Sequence, residues 1–183
     1  MGADGMKRLA NAILFQIIWF VCVLAGNIWA VVATAVYLFV HDRYFMNSRR
    51  EWRLLAVFLG LGLLVDGALF QIGLFSINHA STLAQPSLTA NLPPIWLLCL
   101  WISVGSLFAH SLAMLRSRYA LSALLGAIGP TFSYLAGANL SGITLAEPTL
   151  LSALVVALIW SLILPLGIWL SEQWTLFSTS GES

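Results

Sequence analysis

The chain has 183 residues, 60% of them hydrophobic and 8% charged, with a net charge of +1. A water-soluble domain carries about 25% charged residues, so a soluble globule is excluded, and the lack of a basic stripe argues against nucleic acid as a partner. At about 20 apolar residues per transmembrane helix, this length makes one integral membrane domain.

Residues 9–40 form the first apolar run. As one helix they would measure about 48 Å, against a hydrocarbon core of about 30 Å, so the run is either one tilted, protruding helix or two short ones turned at Gly26-Asn27. Lys7-Arg8 and the apolar stretch behind them have the layout of a signal peptide, but the Ala-x-Ala-like site at Ala33-Thr34-Ala35 lies too far downstream. A retained membrane segment is expected. Gln16, Trp19, Asn27 and Trp29 give this run a polar and aromatic set.

The next run, 54–75, is long enough for one span and carries Asp66 near its middle. An acidic side chain at a helix centre costs roughly 2.5–3.5 kcal/mol to insert, so such residues face a protein interior or a water-filled cavity. Asp66 is therefore the first candidate for a functional site, and a structural hydrogen bond that locks helices together is the alternative. After it, residues 78–94 hold three prolines and no Lys or Arg, which reads as an ordered lid outside the membrane.

Further spans are predicted at 94–114, 121–138 and 150–170. By helical rise, Asp66 lies about 18 Å into the membrane, Tyr134 about 20 Å, and Trp101 at a similar level, so the three could share a layer with Tyr134 donating to Asp66. Gly129, Ser133, Gly137 and Ser141 recur every fourth residue, which predicts close helix packing and offers an oligomer contact. Pro130 and Pro165 interrupt the last two spans. Trp52, Trp96 and Trp174 are expected as interfacial anchors, with Trp101 and Trp160 deeper. The tail, 178–183, reads as disordered.

All eight Lys and Arg residues fall at Lys7-Arg8, between Arg43 and Arg53, or at Arg116 and Arg118. A hairpin in the first run places all three groups on one side, with both termini cytoplasmic, and satisfies the positive-inside rule; a single helix there gives five spans. The expectation is an all-α polytopic bundle of six helices, with five as the alternative.

Cys22 and Cys99 read as packing residues. His110 is expected near the interface at the end of its helix, and His41 and His79 in loops. None shows HxxxH or HExxH spacing, so neither a metal nor a cofactor is expected.

Leu14-Phe15-Gln16-x-x-Trp19-Phe20, Gly26-Asn27-x-Trp29 and Asp66-Gly67 together resemble a bacterial inner-membrane family catalogued only as a domain of unknown function. The resemblance implies a small inner-membrane protein and supplies no activity, cofactor or site residue. The residues themselves point to a protein that binds an apolar or lipidic molecule around Asp66, with Tyr134, Trp101, Gln16, Asn27 and His110 as further ligand-binding or proton-carrying candidates. A proton-coupled transporter and a non-catalytic assembly subunit are the alternatives; membrane lipids are the expected partners.

Overall fold

The computed structural model describes residues 3–77 and 92–177. Its first helix, α1 (Ala3–Val40), is broken at Gly26, whose φ of 81° and ψ of 178° suit a residue without a Cβ. The break reverses the chain. Cys22 Sγ lies 3.9 Å from Thr34 Oγ1, and Asn11 Nδ2 donates to the Tyr37 hydroxyl at 3.3 Å. In a straight helix the Asn11 and Tyr37 positions would stand about 39 Å apart. The first run is thus a hairpin of two arms, as the six-helix expectation requires.

Beyond the second arm, a π-helical turn (His41–Phe45) leads through a short loop to α2 (Glu51–Gln71). This helix starts three residues before the predicted span and ends four before it, because Phe75–Ile77 forms a strand, β1. The strand pairs antiparallel with β2 (Ile143–Leu145), Ser76 opposite Thr144, so the two segments form a ribbon at one end of the molecule. Of the expected lid, residues 78–91 lie outside the described residues, as do His79 and the tail 178–183.

The third predicted span departs most from expectation. Only α3 (Ile95–Gly105) is α-helical; the chain then turns and forms a 3₁₀ segment, Ser111–Leu115. Ser103 Oγ donates to the Cys99 carbonyl and Ser106 Oγ to the Ser103 carbonyl, so side chains compete for the acceptors that would carry the helix onward. At its start, the first-turn N–H of Trp96 donates to Asn27 Oδ1 at 3.1 Å. Asn27, a candidate ligand residue by sequence, thereby ties the α1 turn to α3 by satisfying a helix-end donor.

Helices α4 (Tyr119–Ser141) and α5 (Thr149–Gln173) continue through Pro130 and Pro165 and pack along each other. Their close approach is at Gly126, where a Cβ would lie 2.9 Å from Leu164 Cβ. It is not at Gly129 or Gly137, where an added Cβ would meet nothing within 4 Å. The small-residue stripe leaves space at those two positions, while Ser133 bonds Trp19 of α1 and Ser141 is buried.

Four helices among the described residues are long and apolar enough to cross a membrane, and the protein is a membrane protein. Its basic groups gather at the end opposite the ribbon. Ser111 Oγ donates to the Arg8 carbonyl, Arg50 reaches the Trp174 carbonyl and the Thr175 hydroxyl, and Arg116 lies over the Phe177 ring. Both chain ends of the described bundle meet there.

Candidate functional site

Asp66 is fully buried in α2 and accepts two hydrogen bonds. Trp101 Nε1 donates to Oδ2 at 2.6 Å, and the Tyr134 hydroxyl donates to Oδ1 at 2.8 Å. Three helices, α2, α3 and α4, therefore meet on one carboxyl group. Trp101 reaches it because Gly62, one turn earlier on α2, leaves room; a Cβ at Gly62 would lie 2.6 Å from Trp101 Cδ1. The indole is held on its other side by Trp160 of α5, stacked at a centroid distance of 4.7 Å and an interplanar angle of 27°. A buried carboxylate with only neutral donors around it is costly unless its lone pairs are satisfied, and two strong donors supply that here.

Tyr134 also belongs to a cavity. A space of about 670 Å³ lies between the first arm of α1 and helices α3, α4 and α5. Its wall is almost wholly apolar and aromatic; Gln16, Ser133 and Tyr134 supply its polar side-chain groups. Trp19 Nε1 donates to Ser133 Oγ at 2.7 Å and so bridges α1 to α4 across it. The wall runs out to the lipid-facing surface, since the lining residues Ile128 and Phe132 are 47% and 68% exposed. This size and lining suit a ligand of a few tens of heavy atoms, as pockets of about 300–1,000 Å³ do.

The sequence candidates thus separate into four places. Asp66, Trp101 and Tyr134 form one hydrogen-bonded layer, with Asp66 and Trp101 behind the cavity wall. Gln16 and Tyr134 stand on that wall, together with Gly129, Ser133 and Gly137 of the small-residue stripe. Trp96, expected as an interfacial anchor, is buried and lines it too. Asn27 sits apart at the α1 turn.

His110 is elsewhere and in different company. It is buried at the basic end, and its Nε2 lies 2.9 Å from Glu51 Oε2; His41, expected in a loop, is fully buried with its Nε2 3.3 Å from the same oxygen. The other oxygen, Oε1, accepts the Asn47 N–H at 2.8 Å. Outside this cluster, Asp42 accepts from Arg49 at 2.7 Å and Trp52 at 3.0 Å, which clamps the connecting loop and sets Glu51 inward. Sequence reasoning passed over Glu51 because it stands among Arg49, Arg50 and Arg53, where a carboxylate reads as a solvated surface charge. The one signal was its position at the start of an apolar span.

A family model described as protein of unknown function (DUF2878) matches residues 8–166. The chain belongs to this family. No curated protein and no solved structure matches the chain. Membership in DUF2878 covers the hairpin, the Asp66 layer, the cavity and the Glu51 cluster alike, and its description assigns none of them a role.

Proposed function

We propose that this DUF2878 protein holds an apolar or lipidic small molecule in the cavity beside Tyr134, in a bacterial inner membrane with the basic end and both termini in the cytoplasm. The observation that carries the reading is the cavity of about 670 Å³, apolar except for a few polar groups and continuous with lipid-facing residues. Such a wall favours a greasy molecule with a small polar group over a hydrated solute. Asp66 acts through Tyr134: by accepting the phenol proton it fixes the ring and leaves the hydroxyl oxygen as an acceptor toward the ligand. The positive-inside rule supports the orientation, since the basic groups share one end.

Lipid extraction and mass spectrometry of gently solubilised wild type, Asp66→Asn and Tyr134→Phe test this reading. The wild type is expected to retain a specific small molecule that both variants lose or hold in reduced amount. Equal retention by all three would sink the role given to Asp66.

A further inference from the structure

The Glu51 cluster has no place in that function, and it is built from three separate parts of the chain: the π-helical turn, the first residue of α2, and the turn after α3. One ligand-type atom from each of His41, Glu51 and His110 lies within 4.8 Å of the others. In a tetrahedral zinc site with bonds of about 2.0–2.2 Å, ligand atoms stand about 3.4 Å apart. The two nitrogen-to-oxygen separations here are 3.3 Å and 2.9 Å. We propose that His41, Glu51 and His110 bind a divalent first-row transition-metal ion.

Chemistry and surroundings agree with that assignment. Two imidazoles and one carboxylate form a donor set suited to zinc, iron(II), cobalt or manganese, with at least one coordination position left for water or another ligand. Glu51 is 2% exposed, and among the described residues no Lys or Arg pairs with it. A buried carboxylate needs a compensating charge, and a divalent ion supplies it while both imidazoles stay neutral, the form in which they ligate. The Asn47 N–H on Oε1 orients the carboxylate from outside and leaves Oε2 for the metal.

Aromatic rings close the cluster. His41 stacks on Phe45 at 6.0 Å and 8°, and Phe45 meets His110 edge-on at 6.2 Å. A π-helical turn widens the backbone at His41, a device often found at functional sites. His41 Nδ1 is buried without a partner among the described residues. His41 Nε2, not Nδ1, faces Glu51, so the ion would be held through Nε2, with Nδ1 on the far side of the ring.

The test is metal binding to full-length protein in mild detergent after chelator treatment, using zinc alone by calorimetry and cobalt alone by visible absorption. One equivalent per chain is expected, with a cobalt spectrum of low coordination number. His41→Ala and His110→Ala should each weaken zinc by about 10-fold or more, no less than the loss typical of an outer-shell partner. His79→Ala should leave binding unchanged. No stoichiometric zinc and no cobalt band in the wild type would overturn the site without recourse to any variant, and so would loss of binding in His79→Ala with retention in His110→Ala. Neither result bears on the cavity, which shares none of these residues.

Discussion

Helix α2 carries two buried carboxyl groups, Glu51 at its first turn and Asp66 about 22 Å further along by helical rise. Each accepts two side-chain hydrogen bonds from other elements, yet the company differs. Asp66 is held by a tryptophan and a tyrosine, neutral donors of fixed shape, and backs onto an apolar cavity through Tyr134. Glu51 is held by two histidines and a backbone N–H, groups that ligate metals or orient a ligand, and lies at the basic end away from the cavity. Depth along one helix does not decide what a buried carboxylate does; the chemistry of its partners does. Asp66 shapes a wall, while Glu51 joins three chain segments.

The contrast breaks most sharply under Glu51→Ala. Removing the acceptor strands two buried imidazoles and the Asn47 N–H together, and each buried polar group left unpaired costs about 1–3 kcal/mol. A large drop in the thermal midpoint of the detergent-solubilised protein is expected, and a change as small as that of a surface variant would contradict the linking role. Gly62→Ala sharpens the other side. Its methyl group meets the Trp101 ring and pushes it off Asp66, at about 1–3 kcal/mol of overpacking. Tryptophan fluorescence should shift along with stability, because the stacked Trp101 and Trp160 move together. An unchanged spectrum would mean the indole is not held as described.

A smaller effect is expected from Trp19→Phe, which deletes the bond to Ser133 while keeping an aromatic ring. The loss should be about 0.5–1.5 kcal/mol or less in stability, and its main readout should be faster exchange of bound molecule through the α1–α4 side. Exchange at the wild-type rate would show that this bridge does not gate the cavity.

Much of the Asp66 layer was legible in the sequence because an acidic residue in an apolar run is conspicuous, and because helical rise converts position into depth. The hairpin was legible from charge, since only reversal at Gly26-Asn27 puts Lys7-Arg8 beside the other basic groups. The Glu51 cluster was hidden for the opposite reasons: its carboxylate sits in a charged segment, and His110 lies 59 residues away in a stretch expected to be helix. The early end of α3 depends on serine side chains bonding back to carbonyls, and hydropathy does not register that. The Gly129, Ser133 and Gly137 stripe was read as a contact face because small residues permit both close packing and open space; only the facing element decides which.

The cavity beside Tyr134 is the binding site proposed for this protein. Native mass spectrometry of gently solubilised wild type and Gly137→Leu tests it most directly, because Gly137 lines the cavity and an added Cβ there meets nothing within 4 Å. The added side chain should fill ligand space without disturbing the helices. A specific small-molecule adduct on the wild type, lost from a Gly137→Leu protein of unchanged thermal midpoint, is the result expected. A wild type free of any adduct, or an adduct retained equally by Gly137→Leu, would contradict the account.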